Sequence, residues 1–130
     1  MSSIPEILDG FAETFESHPA EVFAYVPDSI IPPAVCVYCE QWPYDTTADA
    51  TFILLCVLGT GDMQDAQAQL MGWLSDTGPT SLVALIDADN TLDGAVSSVL
   101  PFEVRNWGLM PVQEGRPRLL QAELVCHVLR

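Results

Sequence analysis

The last third of the chain alternates. Leu120, Ala122, Leu124, Cys126 and Val128 are apolar, while Gln121, Glu123 and His127 between them are polar. Period two sends successive side chains to opposite faces of an extended strand, so this stretch must lay one face on a core. Upstream, Phe102 and Val104 oppose Glu103 and Arg105 in the same way. Two long strands joined by a polar loop around residues 113–118 therefore dominate the fold, and the other elements must cover them.

The start of the chain supplies one cover. Ser3 and Glu6 have the S-x-x-E spacing of a capping box, and Pro5 sits in the first turn, where its missing N–H is not needed. Ile4, Ile7, Leu8, Phe11, Ala12 and Phe15 then recur at three- and four-residue spacing, giving one apolar stripe. Glu6, Asp9, Glu13 and Glu16 lie largely off it. The helix should end before His18-Pro19, because a residue preceding proline is pushed out of the helical region. Residues 21–26 read as a short strand, followed by the proline-stiffened loop PDSIIPP. Residues 34–39 form a strand apolar on both faces, which suits a central position or a cover from another subunit. Residues 40–50, with Trp42, Pro43 and Tyr44 among acids and threonines, read as an exposed hairpin arm. Residues 51–58 are the most apolar strand. After Gly59 and Gly61, Asp62 caps a second helix with Asp65 three residues on, and Met63, Ala66, Leu70, Trp73 and Leu74 form its apolar side. Gly78 and Pro79 break the chain, and Thr80 or Ser81 caps a short helix over Leu82–Ala88. The order α-β-β-β-α-α-β-β predicts an α+β fold: a single mixed or antiparallel sheet of about five strands, with helices on one face. At 130 residues this is one domain, 1–130.

Charge narrows the function. The chain has 18 acids against four arginines and no lysine, a net charge of −14. Such a surface repels the nucleic-acid backbone and anionic membranes. It suits solubility at high local concentration, a basic partner, or a surface that DNA passes without sticking; a generally acidic source proteome is the plainer account. No export signal or membrane-spanning run is visible, so a cytosolic setting with free buried thiols is expected for Cys36, Cys39, Cys56 and Cys126.

Motifs for chemistry fail on inspection. Cys36 and Cys39 have C-x-x-C spacing, but three residues apart in a strand point to opposite faces. Only Cys126-His127 could complete a metal site with them. Asp87, Asp89, Asp93 and Gly94 look superficially like a calcium loop, yet Leu92 stands where that loop needs glycine and Ser98 where it needs glutamate. Asp and Asn terminating a helix account for them better. The Gly59-Thr60-Gly61-Asp62 turn lacks the lysine of a phosphate loop. His18 and His127 have no motif-spaced nucleophile. No catalytic residue, cofactor or metal is expected. The informative side chains are aromatic: Trp42, Tyr44 and Trp107 either cap the core or anchor an interface.

Residues 78–94, GPTSLVALIDADNTLDG, carry a resemblance. Gly78, Ser81, Leu82, Ile86, Ala88, Asp89, Thr91, Leu92, Gly94 and Val96 follow the pattern G-x-x-S-[IL]-x-x-A-[IL]-x-A-D-x-T-L-x-G-x-V. This resembles tail terminator (tail-completion, or minor tail) proteins of long-tailed, non-contractile phages of actinobacteria. Leu85 departs from the usual alanine, and Asp93 replaces a frequent glycine. Val22, Ala24, Tyr25 and Pro27, then Pro32, Pro33, Ala34, Val35 and Val37, then Tyr44 and Asp45, are similar to the family's upstream pattern. The closing A-x-L-x-V-x-V strand is matched by Ala122, Leu124, Cys126 and Val128.

The resemblance implies a virion structural protein of the tail and neck, assembled in the host cytoplasm. Its subunits would form a homo-oligomeric ring, hexameric in this family, that caps the head-proximal end of the tail tube. Its partners would be the major tail tube protein and a neck or head-completion protein; DNA would pass through without specific binding, and no membrane would be involved. On that basis Trp42, Tyr44, Asp45 and Trp107 are candidate contacts at a subunit or tube interface. Arg116 and Arg118 are candidate salt-bridge donors to an acidic neighbour. The competing readings are another neck component, such as a head–tail joining protein, and an acidic inhibitor that mimics DNA. The second requires carboxylates spaced like phosphates on one face, whereas these acids are scattered over caps, turns and helix faces.

Overall fold

The computed structural model describes residues 2–110 and 118–130. Helix α1 spans Ile4–Thr14, strand β1 Glu21–Phe23, β2 Ala34–Gln41 and β3 Ala50–Gly59. Helices α2 (Met63–Leu74) and α3 (Leu82–Ala88) follow, then β4 (Ser98–Leu109) and β5 (Leu119–Leu129). The strands make one sheet in the order β1-β2-β3-β5-β4. β1 runs parallel to β2 and every other pair is antiparallel, so the sheet is mixed. Among the described residues, no helix is long and apolar enough to cross a membrane.

Local signals set the helices. The Ser3 hydroxyl accepts from the Glu6 N–H while the Glu6 carboxylate accepts from the Ser3 N–H, closing the capping box that starts α1. Asp62 accepts from the Asp65 N–H at the start of α2, and Ser81 from the Ala84 N–H at the start of α3. α1 stops at Thr14, a turn earlier than His18-Pro19 requires. Strand β1 is shorter than residues 21–26, and β2 continues through Glu40 and Gln41, beyond residue 39.

All three helices pack on one face of the sheet. Ile7, Phe11 and Phe15 of α1, Ala66, Leu70 and Trp73 of α2, and Leu82 and Ile86 of α3 form one cluster with alternate residues of the strands. Val35 and Val37, Phe52, Leu54 and Cys56, and Leu120, Ala122, Leu124, Cys126 and Val128 face them. The alternation of the last strand thus points its apolar side at the helices.

The turn after α3 is locked by its own polar groups. Asp89 accepts from the Asp93 N–H (3.0 Å) and the Thr14 hydroxyl (3.2 Å), and the Thr91 hydroxyl accepts from the Gly94 N–H (3.3 Å). Leu92, Asp93 and Gly94 all take positive φ (50°, 57° and 85°), which is strained for the leucine. Leu92 is nevertheless buried beneath α1, where a Cβ on Gly10 would come within 3.0 Å of the leucine Cβ. Residues 78–94 therefore work as a clasp between α3 and α1.

The opposite face is closed by curvature. Arg105 of β4 pairs with Glu40 of β2, although β5 and β3 stand between those strands. With neighbouring strands about 4.8 Å apart, a flat sheet would separate β2 from β4 by about 14 Å. Arg105 also lies level with Cys36 rather than Glu40, through the pairs with Glu123 and Leu55. The contact is possible only because the sheet curls, and β4 carries register shifts at Pro101/Glu103 and Arg105/Gly108 that bend it. Cys36, Ile53, Val57 and Val125 are buried inside that curl without a helix over them.

Candidate functional site

Strand β4 is both an edge and an apolar surface. Leu100, Phe102, Val104, Trp107 and Leu109 are each exposed, between 40% and 59% of their surface. The alternation of Phe102 and Val104 correctly indicates a strand, but neither side chain reaches the core. Phe102 lies at the first register shift and stacks on the His127 ring at 4.5 Å between centroids. His127 in turn lies 3.9 Å from the Asp49 carboxylate.

A polar network fixes the second bulge. Asn106 (φ 55°) and Gly108 (φ 156°) turn the chain there, and asparagine tolerates the left-handed region better than most residues. The Asn106 amide donates to Glu123 Oε1, the Tyr38 hydroxyl donates to Glu123 Oε2 at 2.6 Å, and the Arg105 Nε lies 3.5 Å from Glu123 Oε1. Arg105 also grips both oxygens of Glu40. Burial works against the Glu123 charge, but the Tyr38 and Asn106 hydrogen bonds and the Arg105 guanidinium outweigh it and hold the carboxyl below its ordinary value. Burial, then the hydrogen bond to Glu123, pushes the Tyr38 phenol up to about 12. The bulge is thereby pinned, and Trp107, between its two special residues, is held outward.

The segment between β2 and β3 divides its aromatic residues between two roles. Trp42 packs edge-on against the core Phe52, with centroids 6.3 Å apart, and the Arg130 guanidinium covers its ring at 4.4 Å. Arg130 also donates to the carbonyls of Pro43 (2.5 Å), Asp45 (3.0 Å) and Ala48 (3.3 Å). The arm is therefore tied down by the chain's last residue rather than projecting freely, and Trp42 is a core cap. Tyr44 is 95% exposed. The Asp45 carboxylate accepts from the Thr47 hydroxyl and N–H at 2.7 and 2.9 Å, which lowers its pKa and shapes the turn. Arg118 is exposed, with no side-chain ion pair among the described residues. Arg116 lies outside them.

The remaining reactive groups are quiet. Cys36 and Cys39 sit on opposite faces, and all four cysteines are free. Burial raises the Cys36 thiol to about 11 and Cys126 to about 12, with Cys56 higher still, so none is a thiolate near neutrality. Among the described residues no three or more His, Cys, Asp or Glu side chains group to hold a metal ion. A shallow cavity of about 290 Å³ beside Gly59 and Gly61 is lined by Asp62 and Asp65, whose charges disfavour phosphate.

His18 has a structural task. Its Nδ1 accepts from the Ala20 N–H at 3.1 Å, so its Nε2 carries the proton and donates to the Thr80 carbonyl at 3.0 Å. The ring meets Trp73 edge-on at 4.8 Å. Burial lowers its pKa below 6.5, against the smaller opposing effect of the Thr80 bond. The unfolded chain then binds the extra proton first, so the stabilisation is complete above pH 6.5 and is lost as pH falls below that towards the native value. Urea midpoints measured from pH 8 to 5 should decline below pH 6.5, and His18→Gln should remove that part of the decline.

Two features of the sequence signal this arrangement. Asn106-Trp107-Gly108 has bulge chemistry around an aromatic residue, and Glu123 places a charge in the middle of a buried alternation. No protein-family model matches the chain, and no curated protein is found to be similar to it.

Proposed function

We propose that the chain is a structural ring subunit, the tail terminator of a long-tailed phage, which caps the head-proximal end of the tail tube and joins it to the neck. The observation that carries the reading is the conjunction of the family-like 78–94 clasp with an apolar, unpaired edge strand at β4. Exposed apolar edges are a liability for an isolated chain and a contact surface for an assembled one. The acidity fits as well: a ring of such chains lets DNA through without holding it. Tyr44, Trp107 and Arg118 remain available for contacts, whereas Trp42 and Asp45 act by shaping the arm. The order of neighbours in the neck would distinguish a terminator from an adjacent joining protein.

The test is capping. Added to polymerising tail tube protein, the chain should arrest tube length and leave extra density at one end in electron micrographs. In a virion reconstruction it should occupy the tube–neck junction. Tubes that elongate regardless, together with purified particles that lack the protein, would sink the reading.

A further inference from the structure

The two faces of the sheet are closed in different ways. Three helices cover one of them. On the other, Cys36, Ile53, Val57 and Val125 are buried with no helix above, and polar side chains tie the curled strands together over them. Register puts Cys36 and Tyr38 of β2, Ile53 and Val57 of β3, Glu123 and Val125 of β5, and Arg105 of β4 on this face. Glu40 joins them through Arg105.

Two ties cross the face, with different reach. The inner one runs from the Tyr38 hydroxyl to Glu123 at 2.6 Å, from β2 to β5 over β3. The outer one pairs Glu40 with Arg105, from β2 to β4 over two strands. The outer side chains are 34% and 38% exposed against 11% for Glu123, so solvent screens the outer pair and it is the weaker tie. Glu103 of β4 lies level with Val125 on the same face, yet makes no ion pair among the described residues.

Both ends of the outer tie sit where the strand ladder is already broken. Glu40 falls inside the Cys39/Gln41 shift of β2. Arg105 opens the Arg105/Gly108 shift of β4, and the Pro101/Glu103 shift lies just before it. Bulged residues lack regular ladder bonds and bend more readily than the strand around them. β4 is also an edge, so β5 alone holds its backbone. A segment with one neighbour, interrupted pairing and no helix above it belongs to the low-stability end of a fold.

We propose that β4 between its two bulges is a flap, latched by Glu40 and Arg105, which lifts from the helix-free face and exposes Cys36 while the helix-covered core stays folded. Arg105 stands level with Cys36, so the curl that brings it to Glu40 carries it over that part of the face. Cys56 and Cys126 lie on the helix-covered face and stay shielded when the flap lifts. The flap is a property of the single chain and does not depend on the ring assignment.

Thiol labelling reads the flap directly. Native protein is treated with iodoacetamide at pH 8, and mass spectrometry follows each cysteine separately. In the wild type, Cys36 should label at least about tenfold faster than Cys56 and Cys126, and with a weaker dependence on added urea, because flap opening exposes less surface than unfolding does. Glu40→Ala removes the outer tie alone and should raise the Cys36 rate about fivefold. Glu103→Ala removes a neighbouring carboxylate that holds nothing and should leave the rate unchanged. Circular dichroism checks that both variants fold. Equal rates and equal urea dependence for Cys36, Cys56 and Cys126 in the wild type would mean that Cys36 is reached only by global unfolding, and overturn the flap. A Cys36 rate indifferent to Glu40→Ala, as opening at the β1 side would give, overturns the latch; so does an equal rise with Glu103→Ala.

Discussion

Replacing Phe52 with alanine is expected to destabilise the fold by about 3–5 kcal/mol, a large share of the about 5–15 kcal/mol that holds a small domain together. Phe52 is fully buried at the middle of the helix-covered face. Its ring lies 5.7 Å from Phe11 of α1 and 6.3 Å from Trp42, and Phe11 passes the contact on to Phe15 at 6.1 Å. Truncation leaves a cavity between the sheet, α1 and the arm, none of which can close it alone. Tyr44→Ala, at an aromatic residue of the same arm that is 95% exposed, should stay within about 0.5 kcal/mol. Urea unfolding of the pair distinguishes the roles: equal shifts for both would refute the division of the arm into core cap and free surface.

Glu123→Ala should cost about 2–3 kcal/mol, because it strips the acceptor from the Tyr38 hydroxyl, the Asn106 amide and one side of Arg105 at once. Glu123 itself is only 8% exposed, so water cannot readily replace it. The loss should depend on pH. The native carboxyl titrates below its ordinary value of 4.5, so its contribution is complete above 4.5 and disappears as pH falls through the lower native value. Wild type and Glu123→Ala should therefore converge in stability under acid. The His18 decline begins higher, below pH 6.5, which keeps the two effects separable. The variant should also release the bulge: tryptophan fluorescence should report a more mobile Trp107 before global unfolding. An unchanged signal and stability would show that the network does not hold the bulge.

Much of the architecture was legible because its causes are local. The Ser3/Glu6 box, the Asp62 and Ser81 caps and the limits of α3 depend on residues three or four apart, and the structure places them as read. The alternation after Leu119 gave the strand and its buried face. The same rule located β4 but not its surroundings. Alternation puts Phe102 and Val104 on one side, but the bulge between Pro101 and Glu103 turns Phe102 onto His127 while Val104 stands level with Leu124 on the opposite face.

What only tertiary structure decided depends on contacts remote in sequence. Arg130 reaches back to residues 43–48, which turns Trp42 from a candidate anchor into a core cap. Arg105 and Glu40 meet across two intervening strands because bulges curl the sheet, and Tyr38 and Glu123 complete the same network. The parallel pairing of β1 with β2, and the place of β4 at the other end of the sheet, are likewise set by contacts between strands far apart in the chain. Periodicity fixes which way a side chain points relative to its own backbone. Which element, if any, stands opposite is set by the packing of the whole chain, and that is where the proposed contact surface lies.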